Sequence, residues 1–549
     1  MLNILVYACL LEDTRGEFGV DCVKMHDLIR DMALKITSER PRFLVEAGMG
    51  LKCVPDEENW KEDLAKVSLM QNAISDIPLS FESPRCATLS TLLLNSNRYL
   101  HSISDNSFRH MTGLGLLDLS ETSIVNLPES ISQLVNLTAL LLRKCRQLMY
   151  VPSLAKLTAL KRLAFGGSGI KQVPQGMENL VRLRYLEIDE CHQLKIIPDG
   201  VLCELLNLQY LSLYQTRGAT TRGEELVFLR KLERIYCVLH DLNGFNAYVR
   251  SLAEGGPAYY ILQLGFTDGV HWCAVDKHGK VVFLINCDIS ESVAKGGDCQ
   301  LLLPQDVESL VLISCRINVS SLCELTSFKN ATNFKRCHIT KCGELKHLFV
   351  YSSSIIRLLQ RLEELDLEAV WDLQGLIRRD NLALSSPLPP GTFCSLKILR
   401  VCYCNTIKRL SIVTPLPNLE DIIVFRCEQL VEIVAMTFDN EEEKEDQEHV
   451  EAAGGRSHQA VGVVTLPKLW NLHLSKLPKL KSIPIIADNS LRQVRIWECP
   501  KLKKVPCLDK VPVPVSLQYV RIGEDLWESL EWDHPCAKDA IQSMRAKRR

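Results

Sequence analysis

The chain has 549 residues, 46% of them hydrophobic and 24% charged, with a mean hydropathy of +0.03. That composition suits a chain that buries a large core, and it excludes both a disordered polymer and a membrane-embedded protein. The 64 Lys and Arg against 66 Asp and Glu leave a formal charge of −2. No global basic field recruits phosphate backbones, so no nucleic-acid partner is expected, and no run of about 18 apolar residues reads as a transmembrane helix.

Met1 to Leu11 is apolar enough to imitate the core of a signal peptide, yet no Lys or Arg precedes it and Glu12 and Asp13 follow at once. Leu2 to Leu11 is read as a helix instead. Glu12 to Cys22, with Gly16 and Gly19, reads as a short hairpin. Met25 to Thr37 reads as an amphipathic helix with Leu28, Met32 and Ile36 expected on its buried face. Helix, wing, helix is the tail of a winged-helix unit, assigned with its linker to residues 1–80.

A repeat then begins near Leu89. Leu89-S-T-Leu92-L-Leu94, Leu114-G-L-Leu117-D-Leu119, Leu137-T-A-Leu140-L-Leu142, Leu160-K-R-Leu163-A-Phe165, Leu183-R-Y-Leu186-E-Ile188 and Leu208-Q-Y-Leu211-S-Leu213 start 25, 23, 23, 23 and 25 residues apart. This is a leucine-rich-repeat period. Apolar residues at the fourth and sixth positions alternate as on a half-buried strand, and one unit cannot cover that face without a stacked neighbour. Ile131, Leu134, Leu137 and Met177, Leu180, Leu183 have the spacing of a short helix or 3₁₀ turn on the convex side. The expected fold is α/β: a leucine-rich-repeat solenoid, a curved parallel sheet with short convex helices, preceded by the winged-helix remnant.

Residues 81–240 form the regular repeats. After Leu232 the pattern lapses, and 241–300 reads as an irregular strand-rich segment, with Ala258 to Gly265 and His271 to Ile285 as strands joined at a His278-Gly279 turn. Its His271, Cys273, Asp276 and His278 invite a metal or catalytic reading. No oriented third group accompanies them, so no metal and no enzyme are expected. Residues 301–535 return to less regular repeats, interrupted near 436–464 by an acidic insertion containing Glu441, Glu442, Glu443, Glu445 and Asp446, and 536–549 reads as a basic tail.

Cys145, Cys191, Cys315, Cys342, Cys404, Cys427 and Cys499 fall at the ninth repeat position, where a side chain is expected to bond to the turn backbone of the next coil. They are read as structural thiols in a reducing compartment. There is no C-x-x-C pair for zinc or redox work, and Gly166-G-S-G-I-Lys171 lacks the spacing and the hydroxyl of a phosphate-binding loop.

Repeat positions three, five and seven should project from the concave sheet. They are Arg143, Arg162, Tyr185, Glu187, Asp189, Tyr210 and Tyr214 in the first block, and Arg400, Phe425, His473, Arg495, Trp497, Tyr519 and Arg521 in the last. Arg with Trp, Tyr and Phe is the composition of binding hot spots. The last set is the preferred partner-binding surface, and its positive charge suits an acidic partner.

Val23-K-M-H-D-L-I-R-D-M-Ala33, the upstream Ala8-C-L-L-E and the downstream L-x-x-L-x-L-x-x-C repeats followed by L-P together resemble plant intracellular nucleotide-binding leucine-rich-repeat disease resistance proteins of the coiled-coil class. The resemblance implies a fragment of an innate immune receptor that recognises a pathogen effector or a guarded host protein in the cytoplasm and restrains its own nucleotide-binding module. It makes Met25, His26 and Asp27 the nucleotide sensor, with ADP or ATP bound only when the missing module is present. The phosphate cradle and signalling coiled coil would lie before Met1, and this chain is expected not to bind nucleotide by itself. Two alternatives stand beside it: an inactive fragment, and an extracellular receptor ectodomain, favoured by the glycosylation-type triplets Asn136-L-Thr138, Asn318-V-Ser320 and Asn330-A-Thr332.

Overall fold

The structure, a computed structural model, describes residues 11–15, 21–38, 42–77, 86–216, 219–266, 279–288, 301–317, 321–324, 328, 331–378, 391–410, 416–433, 464–487, 490–509 and 511–546. Met1–Val238 and Leu239–Arg549 form two compact units.

The first unit opens with the expected hairpin, Glu12–Arg15 antiparallel to Asp21–Lys24, followed by the helix Asp27–Ile36. The expected helix Leu2 to Leu11 lies outside the described residues. The apolar stripe of Asp27–Ile36 corrects the sequence reading: Leu28, Met32 and Ile36 are 72%, 51% and 64% exposed. Four-residue spacing aligns these side chains on one face, but it does not supply a partner, and no described residue covers them.

The solenoid starts earlier than Leu89. Arg42–Val45 pairs in parallel with Leu64–Ser68, which pairs in turn with Thr91–Leu93. Leu64-A-K-Val67-S-Leu69 is therefore a coil, and the region read as linker is its base. Parallel pairing continues coil by coil through Leu116–Asp118, Ala139–Leu141, Arg162–Ala164, Tyr185–Glu187 and Tyr210–Ser212 to Arg234–Leu239. Leucines at positions one, four and six, such as Leu137, Leu140 and Leu142, are fully buried. Each contributes roughly 1.5–3 kcal/mol of burial. The convex turns Glu129–Gln133, Met177–Asn179 and Leu202–Glu204 are 3₁₀ helices, as the three-residue spacing implies.

In the second unit the described strands of the segment read as irregular follow the repeat. Tyr259–Leu264 pairs with Lys280–Ile285 in parallel, and Lys280–Ile285 with Ser309–Ile313. The parallel pairing means that the two strands are not joined by a tight turn as read at His278-Gly279; His278 itself lies outside the described residues. Both strands carry near-continuous apolar runs because both of their faces are buried, which hid the repeat alternation. His271, Cys273, Asp276 and His278 lie outside the described residues. The ladder continues through Arg336–Thr340, Glu364–Glu368, Ile398–Cys402 and Asp421–Phe425, then Asn471–Ser475, Gln493–Trp497 and Tyr519–Ile522. Asp421 pairs directly with Asn471, so the acidic insertion between them leaves the register intact; residues 434–463 are outside the described set. The tail read as basic is largely the helix Pro535–Ala546. Ala537 and Ile541 are fully buried, and Gln542 accepts a 2.9 Å bond from Trp527 Nε1.

Two features at the end of each strand set the turn. Position eight is left-handed in coil after coil: Gln71, Ser96, Glu121, Lys144, Glu190 and Gln215 in the first unit, and Asn286, Ser314, Lys341, Ala369, Tyr403, Arg426, Lys476 and Glu498 in the second, all at φ between 51° and 61°. This conformation costs a non-glycine residue about 1–2 kcal/mol. It aims the amide at the next coil, as in Glu121 N to Arg143 O at 2.7 Å and Tyr403 N to Phe425 O at 2.8 Å. At position nine a buried polar group satisfies the bend. Asn97 Nδ2 donates to Leu69 O and Leu94 O, and its Oδ1 accepts from Ile74 N. Cys145 Sγ donates to Leu119 O at 3.1 Å and Cys191 Sγ to Phe165 O at 3.2 Å. These bonds reach the preceding coil, correcting the expectation that they would run to the next. The seven cysteines read at the ninth position are buried free thiols, and Cys287, which follows Asn286 in the same place, is a partly exposed one.

Gln71→Val is expected to cost about 1–2 kcal/mol in denaturant unfolding, because a β-branched residue resists φ near 58°, while Gln71→Gly stays close to wild type. Asn97→Ala, which strands the buried Ile74 N and Leu94 O while Leu69 O keeps its bond from Asn72 Nδ2, should cost about 2–3 kcal/mol by the same measurement.

Candidate functional site

Inward residues at positions four and six leave positions three, five and seven on the open face of each sheet. Gln493–Trp497 illustrates the register: Val494 and Ile496 are buried, whereas Gln493, Arg495 and Trp497 are partly exposed. Side chains at equal positions of paired strands stand one strand spacing apart, about 4.8 Å, so they interact as ladders.

In the first unit the candidates form one connected cluster. Arg143 donates to Glu187 through Nε at 2.8 Å and through Nη2, and to Tyr185 Oη at 3.1 Å; Tyr185 Oη also donates to Glu187. Arg162 lies 4.1 Å over the Tyr185 ring, which stacks on Tyr210 at 4.2 Å and 6°. Tyr236 meets both Tyr210 and Tyr214 edge-on. Asp189 accepts from Tyr214 N at 2.9 Å and from the Ser212 hydroxyl. Burial, then the bond to Glu187, pushes Tyr185 up to about 12. Burial opposes ionisation of Glu187, yet the Arg143 and Tyr185 bonds outweigh it and hold that carboxyl below its usual range. The sequence reading missed Tyr236, because the coil beginning at Leu232 was not counted as a repeat, and passed over Ser212, at position five of the counted coil at Leu208, because a serine is not a hot-spot residue type.

In the second unit the candidates divide into two groups. Arg400 is clamped by Glu364 at 3.3 Å, Asp366 at 3.5 Å and Asp421 at 3.7 Å, and Asp366 also faces His338 at 3.2 Å. Arg400 is thus neutralised internally and does not add to a positive surface. The other group is built on aromatic faces. His473 packs on Trp497 at 4.8 Å, with Arg521 at 5.7 Å on the far coil, and Arg495 lies 5.3 Å over Tyr519. Tyr403 meets Phe425 edge-on at 5.2 Å, and Arg426 lies over both rings. Along the strand Asn471–Ser475 all three outward side chains hold a buried polar atom without a hydrogen-bond partner: Asn471 Oδ1, His473 Nε2 and Ser475 Oγ. Burial and the neighbouring Arg495 charge depress the His473 pKa.

Met25, His26 and Asp27 stand at an exposed helix start. His26 is the N-cap, its Nδ1 accepting from Leu28 N at 3.2 Å, so the neutral ring carries its proton on Nε2. Arg30 pairs with Asp27 at 3.0 Å and offsets the carboxylate beside the positive helix end. These residues fit one contact to a phosphate; they do not form a cradle around it. Among the described residues no group of His, Cys, Asp and Glu could hold a metal, and no helix is long and apolar enough to cross a membrane.

Residues 379–508 match the family of plant disease resistance proteins, RPS2-like, leucine-rich repeats, and residues 87–146 match the leucine-rich-repeat family. Disease resistance protein At4g27190 of Arabidopsis thaliana is 28% identical, covering 97% of this chain and 52% of its own length. Disease resistance protein RPS5 of the same plant is 43% identical over a shorter stretch, 25% of this chain and 15% of its own length. The chain spans about half the length of the curated relatives that it matches nearly end to end. Among solved structures, a Leptospira interrogans leucine-rich-repeat protein aligns over 94% of this chain and 97% of its own, at 14% identity and a TM-score of 0.41.

Because the Glu187 pKa is depressed on folding, its contribution is present above the unfolded value, near 4.3, and is lost as pH falls through the folded one. Glu187→Gln should therefore lower the melting temperature at pH 7 by several degrees, equivalent to about 2 kcal/mol, and the deficit should close as the scan is repeated below about pH 4.

Proposed function

We propose that this chain, whose repeats belong with those of plant disease resistance proteins, is a non-enzymatic recognition element of plant innate immunity that captures a pathogen effector or a guarded host protein. The carrying observation is the aromatic and cationic group on the open face of the second unit: His473, Arg495, Trp497, Tyr519 and Arg521. Trp, Tyr and Arg dominate binding hot spots, and here they stand partly exposed on the open face. The first-unit cluster saturates its own charges and bonds, and so it suits a structural role better than capture.

In an intact receptor we assign Met25, His26 and Asp27 to sensing the phosphate of ADP or ATP, with Nε2 of His26 as the donor and the helix start adding its positive end. The exposed stripe of Leu28, Met32 and Ile36 would then lie against the nucleotide-binding module. A cytoplasmic setting accords with the buried free thiols.

Affinity capture from infected leaf tissue tests the reading. The wild-type chain should retain a pathogen or host protein that Arg495→Ala with Trp497→Ala loses, while the thermal transition of the variant stays within about 3 °C, since both side chains are partly exposed. Equal retention by both chains would remove this face from the recognition surface.

A further inference from the structure

The second unit carries an open groove of about 1490 Å³ beside the concave face. Its floor consists of the left-handed position-eight residues of four successive coils, Tyr403, Arg426, Lys476 and Glu498, whose backbone conformation turns their side chains out of the sheet. Trp497 and Arg521 form a wall, and the short helix Glu524–Ser529 closes one end. Three strand spacings of about 4.8 Å make the floor roughly 14 Å long, the reach of about four residues of extended chain. The volume exceeds the roughly 300–1,000 Å³ usual for a small-molecule site.

The lining carries five cations, Arg426, Lys476, Lys479, Lys501 and Arg521, and three carboxylates, Glu428, Glu498 and Asp525, which leaves 5 − 3 = +2. Lys479 is held by Gln429 at 2.5 Å, and Lys476 approaches Glu498 at 3.9 Å. Arg426 and Arg521 instead rest on aromatic rings, and neither they nor Lys501 pairs with a carboxylate among the described residues. Cations laid on exposed rings, with no anion beside them, present charge and apolar surface together.

We propose that this groove binds an extended acidic peptide segment of the partner protein, its carboxylates meeting Arg426, Lys501 and Arg521 and one aromatic side chain packing between Tyr403 and Trp497. The proposal rests on the recognition reading above and adds the chemistry of what is recognised. An interspersed set of carboxylates on the lining disfavours a continuous phosphate backbone, so a protein segment is favoured over a nucleic acid.

The test is fluorescence anisotropy of the full chain with a fluorescein-labelled peptide Asp-Glu-Phe-Glu-Glu-Asp. Saturable binding should weaken as salt rises from about 0.05 M to about 0.3 M. It should fall at least tenfold in Arg426→Glu with Lys501→Glu, two exposed positions outside the concave set, with circular dichroism unchanged. Equal binding of a Lys-for-Glu peptide, unchanged binding by the double variant, or tighter competition by a single-stranded oligonucleotide would overturn the proposal. So would binding seen only after residues 436–464 are replaced by a Gly/Ser linker, since the chain's own acidic segment would then be the occupant. Loss of the peptide result with leaf-tissue capture intact would refute the groove and leave the concave-face reading standing.

Discussion

The architecture depends on one backbone event repeated at the end of each strand: a residue forced into the left-handed region so that its amide can reach the coil above. Without that bond the chain would leave the sheet after position seven with an unpaired donor in a region that position nine then buries. The strain of about 1–2 kcal/mol is comparable to the roughly 1–3 kcal/mol cost of a buried amide left unmet, so the two nearly cancel at each coil. What tips the balance is burial by the leucines at positions one, four and six. The polar spine then selects among Asn, Thr, Ser and Cys because each can reach a carbonyl from inside the bend. Asn97 and Cys145 solve the same problem with different numbers of bonds.

Because the inner face and the backbone are committed to stacking, chemistry that varies from coil to coil is confined to the outward positions and to the side chains of position eight. Different coils use that freedom differently. Arg143, Tyr185 and Glu187 close upon one another, and Arg400 disappears among three carboxylates. The coils beginning at Leu419, Leu469, Leu491 and Leu517 leave guanidinium groups on aromatic faces and polar atoms without partners. A satisfied cluster stiffens a sheet; guanidinium groups resting on partly exposed rings remain available to another molecule.

The period, the parallel sheet, the 3₁₀ turns and the outward register of Trp497 were legible from leucine spacing, because positions four and six alternate wherever one face is buried. The coil at Leu64 escaped notice because it stands alone ahead of the longer run, and those at Tyr259 and Lys280 because strands apolar on both faces lose the alternation. Tyr236 was lost with the coil that carries it. The exposure of Leu28, Met32 and Ile36 shows the limit of amphipathic patterns, which identify a face but not what covers it. The neutralisation of Arg400 was invisible for a related reason: Glu364, Asp366 and Asp421 come from two other coils, and only the register brings their charges together. The groove was missed because position eight counts as turn in a repeat pattern, and nothing in the spacing says that it points outward.

The direct pairing of Asp421 with Asn471 has a consequence for how this chain can change. Coil closure there is decided by the flanking strands, whose register is direct, and the entropic cost of closing a loop rises by only about 0.6 kcal/mol for each doubling of the chain between them. The stretch between Ile433 and Val464 is therefore a permissive seam. Its length and charge can drift by mutation, or be replaced with a foreign epitope, without disturbing the stacking above and below it.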